Sequence, residues 1–389
     1  MSHSLPIGAI AVIVLFFFLF IHRENNPDNL TAIQRIGKLD LVGTFIIIPA
    51  IIMLLLALQW GGSTYAWKDS RIIGLFVGFG LMISIFAFSQ IKLQDRGILP
   101  PRFFKNRNVL CAMLFACFFG GGFFSIIFYM AIYFQSVKGS TATHAGIQLL
   151  PLLISCVLAS MLTGGLISAF GYYTPVMIVS MALFAVGAGM ITTFNIDTTL
   201  GKWFGYQVLA GAGIGVGFQG GIIAVQTVLP LADVPVATAC VSFFQSLGGS
   251  IFIAICQSLF QTGLLDGIKQ NAPQLNAQLF LNSGATQIRQ ILADEHQEDA
   301  LEAVLEAYVK GLRNTFIVTL ACAVMAFVIA CGFDWVSVKN GPGAANKDDL
   351  ESSNKSVETK IEATDGEEVN GEKAVAKEED ISKGDVSKE

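Results

Sequence analysis

Seven side chains in this sequence combine hydrogen-bonding capacity with a place in or at the end of an apolar run. Tyr129, Tyr133 and Gln135 close one run, Gln219 and Gln226 lie in a second, and Gln245 and Gln257 lie in a third. Amides and phenols donate and accept hydrogen bonds without imposing charge selection. Together they could hold a neutral, oxygen-rich compound, with Phe118, Phe119 and Phe123 supplying apolar and stacking contact. In hydrocarbon such groups need partners, so they are expected to face the interior of a helix bundle. Gln219 and Gln226 are seven residues apart and therefore share a helix face. Hydrogen bonds between helices would account for each of them too, and a packing stripe has the same spacing as a lining stripe.

Other chemistries find no residues to work with. No Asp or Glu falls within an apolar run, so the sequence offers no titratable group at membrane depth for proton coupling. Its four histidines (His3, His22, His144, His296) are scattered over termini and loops, with no Ser-His-Asp set, P-loop or metal cluster. All seven cysteines lie in apolar runs without a CxxC, as buried small hydrophobes do. The run AGAGIGVGFQGG holds a formal GxGxxG at Gly215, Gly217 and Gly220, but no βαβ unit surrounds it. Its pairs Gly211/Gly215 and Gly213/Gly217 suit close helix packing instead. Three successive glycines, Gly120 to Gly122, mark a possible flexing point, and Pro49 and Pro151 suggest kinks. No catalytic residue, cofactor or metal is indicated.

The elements that must carry these residues follow from composition. Of 389 residues, 53% are hydrophobic and 14% charged, against roughly 25% charged in soluble domains. Between Arg107 and Asp266 the only charges are Lys138, Asp197, Lys202 and Asp233. So few charges cannot cover a soluble surface, and lipid must be the outer solvent. Spans of about 20 apolar residues fall near 5–21, 41–60, 72–91, 109–134, 146–169, 174–194, 203–229, 237–262 and 314–333. The fold class is therefore an all-α integral membrane protein of about nine transmembrane helices. The first run lacks a basic flank and a cleavage site, so it reads as a retained span rather than a signal peptide.

Lys and Arg in short loops set the orientation. Arg23, Arg35 and Lys38 after the first span, with Lys92, Arg96, Arg102, Lys105 and Arg107 after the third, stand against Lys68, Arg71, Lys138 and Lys202 opposite. Eight against four places the first set in the cytosol and the N-terminus outside. A long outer loop is expected over 263–313, with amphipathic surface helices using Ile288, Ile291, Leu292, Leu301, Val304, Leu305 and Val309. From Lys339 onward, 8 Lys against 14 Asp plus Glu give a net charge of −6. This composition predicts a disordered acidic cytosolic tail. No basic surface points to nucleic acid.

Several stretches together resemble the fourteen-helix drug:proton antiporters of the major facilitator superfamily, in particular the fungal toxin-efflux branch. SLPIGAI is similar to the start of that family's helix six, and KLDLVGTF with LALQWGG and YAW to helix seven and its outer loop. IYFQSVKGSTATHAGIQLLPL resembles its strongest signature, between helices nine and ten. AGAGIGVGFQGGIIAVQTVLP and SFFQSLGGSIFIAICQSLF resemble helices twelve and thirteen. Two details depart from the pattern. Ala131 stands where a proline usually precedes the Tyr-Phe-Gln, and the turn between helices ten and eleven, Gly165 through Tyr173, carries no charge.

The resemblance implies a C-terminal facilitator half plus linker helices. Residues 1–22 would be an orphan transmembrane helix and 39–92 the linker pair. Residues 108–335 would form the six-helix half, two three-helix repeats, with 336–389 as the tail. Helices one to five have no counterpart, which suggests a truncated gene or a misplaced start codon. The implied function is efflux of a hydrophobic small molecule such as a fungal secondary metabolite or toxin, proton-driven if intact. The alternatives are a truncated, non-transporting membrane remnant and a siderophore importer of the same superfamily. The chain would be a monomer, not an enzyme, with lipid, substrate and protons as its partners. It would sit in the plasma membrane, or alternatively the vacuolar membrane.

Overall fold

A computed structural model describes residues 40–338, apart from 63, 95–96, 276, 283–286 and 295–296. The expected first span and its basic loop, and the acidic tail from residue 339, lie outside the described residues. Twelve α-helices follow in order. They are α1 (Leu41–Trp60), α2 (Ser70–Leu93), α3 (Pro101–Lys105), α4 (Arg107–Ser136), α5 (Ala142–Gln148) and α6 (Leu150–Phe170). Then come α7 (Thr174–Ile191), α8 (Leu200–Val228), α9 (Val234–Asn271), α10 (Ala277–Asn282), α11 (Ile288–Asp294) and α12 (Leu301–Ala330). With α5 and α6 counted together, eight helices among the described residues are long and apolar enough to cross a membrane. The chain is a multi-pass helical membrane protein.

Local chemistry fixes the helix ends. The Asp40 carboxylate accepts from Gly43 N at 2.7 Å and caps α1. Gly171, at φ 74°, closes α6 in the left-handed conformation open to glycine. Pro151 lies in the first turn of α6, where its missing N–H costs nothing. It therefore starts a helix rather than kinking one, and the chain breaks at Leu149 between α5 and α6. α4 runs unbroken through Gly120 to Gly122.

Six helices make the bundle. α4 packs on α9 and α12, while α8 packs on α6 and α7; α12 also meets α7 and α9. The hairpin of α1 and α2 leans on it through α1 against α9. Glycine sets the closest approaches. A Cβ on Gly211 or Gly215 would overlap the Leu152 or Cys156 carbonyl of α6, and one on Gly213 the Phe184 backbone of α7. Without a hydrophobic drive between helices in lipid, such close packing is a main source of association.

Contacts at the helix ends confirm alternating passes. At one rim Arg102 pairs with Asp233 at 2.6 Å and Arg107 with Asp334 at 3.4 Å. There Asp334 N also donates to Asn108 Oδ1 at 2.9 Å, and Val338 N to Gly171 O at 2.8 Å. At the other rim Lys138 Nζ donates to Ile196 O at 2.6 Å and Thr198 O at 2.9 Å. Burial lowers the Lys138 pKa below the ordinary lysine range, and the nearby Asp197 charge opposes that.

The expected loop 263–313 is much shorter. α9 continues to Asn271 and α12 begins at Leu301, leaving 272–300 as the connection. Hydropathy ends before the helices do. Gly263 and Gly267 stand against Gly311 and Ala307, so the two helices stay paired beyond their apolar stretches. Val304 and Leu305 are buried within α12 and do not belong to a separate surface helix. Of the expected surface segments, Ile288, Ile291 and Leu292 do form a short helix, α11.

Candidate functional site

The structure sorts the polar candidates by what their hydrogen bonds reach. Tyr129 is fully buried, and its hydroxyl donates to Gln257 Oε1 of α9 at 3.2 Å. Tyr133, also buried, donates to Asn195 O in the α7–α8 turn at 2.9 Å. Gln135 is half-buried and turns Nε2 back to Ala131 O of its own helix at 3.2 Å. The two tyrosines tie α4 to α9 and to the α7–α8 turn, whereas Gln135 bonds only within its own helix.

Gln219, Gln226 and Gln245 differ. The first two are exposed and the third half-buried, and none has a hydrogen-bond partner among the described residues. They do not form one cluster. The side chain and carbonyl of Gln245 lie against Gly120, on the seam between α9 and α4. Gln219 and Gln226 extend the side of α8 that carries Gly211 and Gly215, so they point toward α6. At the far end of α6, Thr163 and Ile167 are buried while a Cβ on Gly164 or Gly165 would meet open space.

The phenylalanines do assemble. Phe119 is buried, stacking on Phe115 at 5.8 Å and near-parallel to Phe123 at 6.2 Å. Phe218 of α8 sets its edge against both, 4.6 Å from Phe123 and 5.2 Å from Phe119. Phe118 turns to α9 and meets Phe252 at 5.6 Å. Edge-to-face geometry of this kind favours the ring quadrupoles. It leaves Phe118 and Phe123 half-buried at the edge of the cluster.

Sequence reasoning passed over four features of this region. Phe218 and Phe252, which complete the aromatic cluster, were hidden among 31 phenylalanines. Gln207 is completely buried and donates to Gln148 O at 3.1 Å, an amide in an apolar run like those singled out. Ser242, Ser246 and Ser250 form an exposed stripe on α9 with four-residue spacing that was there to be read. Ser246 and Ser250 return their hydroxyls to the carbonyl one turn back, at 3.0 Å each.

Two larger hollows, of about 690 and 440 Å³, lie along α6 and α8. Their linings are almost wholly apolar and include none of the amides or tyrosines. At membrane depth this is the surface that hydrocarbon wets, and Gly211 and Gly215 seal its floor by closing α8 onto α6.

The geometry provides a membrane bundle with an aromatic cluster between α4, α8 and α9 and separate unpartnered amides on α8 and α9, and comparison with known proteins gives it a lineage. The model of the family described as "Fungal trichothecene efflux pump" matches residues 5–272. The chain belongs to this family. Similar curated proteins include "MFS-type efflux pump MFS1" of Trichophyton rubrum, 41% identical over 336 residues, covering 86% of this chain and 62% of that protein. "Efflux pump roqT" of Penicillium rubens is 40% identical over 338 residues, 86% and 61% respectively. "Efflux pump aflT" of Aspergillus parasiticus is 36% identical over 337 residues, 86% and 65% respectively. The chain thus spans about three-fifths of the length of the curated relatives it matches. A bacterial homolog to human lysosomal transporter Spinster, solved inward-facing and occupied, aligns with TM-score 0.48 at 16% identity, over 74% of this chain and 67% of that one. As a member of this major-facilitator-type family, the chain shares the transporter lineage of these efflux pumps.

Proposed function

We propose that this chain serves export of a hydrophobic, neutral small molecule of the fungal secondary-metabolite class, as a transporter rather than an enzyme, proton-driven if intact. One observation carries the proposal. Gln219, Gln226 and Gln245 lie within membrane-length apolar helices, uncovered to different degrees and without hydrogen-bond partners among the described residues. A bare amide facing lipid is costly. Water or a polar part of a substrate beside these side chains removes that cost, and Phe118 and Phe123 at the cluster edge offer the apolar contact. The absence of charge from this face suits a neutral substrate. Efflux by relatives named as pumps supports the direction, and a plasma-membrane location would fit it.

The six bundle helices act as two three-helix repeats in this reading, α4–α6–α7 and α8–α9–α12. Supporting it, the first helix of each packs against the second and third of the other. The test is efflux from cells expressing the protein, with its level at the membrane checked. The combined Gln219→Ala, Gln226→Ala and Gln245→Ala variant should lose about a hundredfold, at roughly 1 kcal/mol per amide bond. Unchanged efflux at equal expression would return all three glutamines to a packing role.

A further inference from the structure

At the rim where α7 ends and α12 begins lies a hollow of about 290 Å³, lined by Thr192, Thr193, Phe194, Asn195, Val309 and Arg313. Arg313 is exposed and has no ion pair or hydrogen bond among the described residues. Its ordinary alternative task, capping the carbonyl end of α7, is already done by the chain itself. Thr192 N reaches Ala188 O and Gly189 O, both at 3.2 Å, and Thr192 Oγ1 donates to Gly189 O at 2.7 Å. Thr193 N and Oγ1 donate to Met190 O at 3.1 and 2.6 Å, and Phe194 N to Ile191 O at 3.1 Å. Further along the turn, Tyr133 occupies Asn195 O, and Lys138 occupies Ile196 O and Thr198 O. Glu306, two turns before Arg313 on α12, is engaged by Asn271 Nδ2 at 3.2 Å. The guanidinium faces this hollow without a partner among the described residues, the nearest carboxylate in the turn being the exposed Asp197, and can accept an anion there.

The surroundings say what kind of anion. Arg313 heads an exposed apolar stripe on α12 made by Ile317, Val324 and Val328. Thr193 heads a matching stripe on α7 made by Val179, Leu183 and Val186. Each stripe is polar at the rim and hydrocarbon-like below, the profile of a phospholipid. A basic side chain at that level sits where headgroup phosphates lie. We propose that this hollow seats the phosphate of a membrane phospholipid on Arg313, with the Asn195 amide as a second donor and acyl chains along the α7 and α12 stripes. A planar guanidinium can bond two phosphate oxygens at once. The site is independent of which rim faces the cytosol.

Native mass spectrometry of the purified, delipidated chain tests this, with phosphatidylglycerol, the diacylglycerol of the same chains and inorganic phosphate as separate probes. Phosphatidylglycerol should bind, and Arg313→Ala should weaken it about fivefold, with Arg313→Lys intermediate. Because Arg313 is exposed, the melting temperature of the variants should match the parent's. Equal binding of diacylglycerol would show a groove for chains alone and overturn the phosphate seat. Binding of inorganic phosphate as tight as the lipid's would make the ligand a free anion and overturn the lipid. Unchanged phosphatidylglycerol binding by Arg313→Ala would remove the anchor itself.

Discussion

Tyr129 and Gln245 are both uncharged hydrogen-bonding side chains in apolar helices, yet Tyr129 has a partner on another helix and Gln245 has none among the described residues. Tyr129 spends its hydroxyl on Gln257, tying α4 to α9, so Tyr129→Phe removes a bond without opening a cavity. Bonds of this kind in membrane bundles average about 0.6 kcal/mol. Thermal unfolding in detergent should show a small fall in stability for Tyr129→Phe, and no change for Gln219→Ala, which breaks no bond among the described residues. The reverse order would reassign both residues. Their types and apolar settings were legible in the sequence; their partners were not. A hydrogen bond from residue 129 to residue 257 depends on which helices touch, and that is fixed by packing across more than a hundred residues.

At the scale of the helix, α8 shows what glycine does in this protein. Its glycines look alike in sequence, but only some are pressed against neighbours. Gly215 meets the backbone of α6, whereas a Cβ on Gly205 would touch nothing within 4 Å. Gly205→Ala should therefore stabilise the helix by about 0.5–1 kcal/mol, by restricting the unfolded chain. Gly215→Leu should push α8 off α6 and abolish the monodisperse peak in size-exclusion chromatography. A Gly215→Leu protein with parental stability would refute the packing role. The sequence announced this role through four-residue glycine spacing, and it placed α1 without error because hydropathy and capping change together at Asp40. It misplaced the ends of α9 and α12, because their pairing outlasts their apolar stretches. There Lys310 Nζ donates to Gln270 Oε1 at 2.7 Å, beyond the reach of any hydropathy window.

For the molecule as a whole, the placement of rims turns charge counting into a labelling experiment. Cys331 is exposed and ends α12 at the rim that holds Arg107 and Asp334. Gly201 is exposed in the first turn of α8 at the opposite rim, with open space around it. If the rim richer in Lys and Arg faces the cytosol, a membrane-impermeant maleimide applied to intact cells should leave Cys331 unmodified until the membrane is permeabilised. A Gly201→Cys variant lacking Cys331 should react at once. The interchanged pattern would reverse the orientation while keeping the fold. Reaction of both sites from one side would contradict the fold itself, because Arg102–Asp233 and Arg107–Asp334 at one rim and Lys138 on Ile196 and Thr198 at the other place the end of α12 and the start of α8 at opposite ends of α4. Under the proposed export, the orientation also decides where substrate would leave. α9 and α12 continue past the apolar region as a paired extension at the rim away from Cys331, so the predicted labelling would put that extension, with α10 and α11 at its tip, on the side to which an exporter delivers.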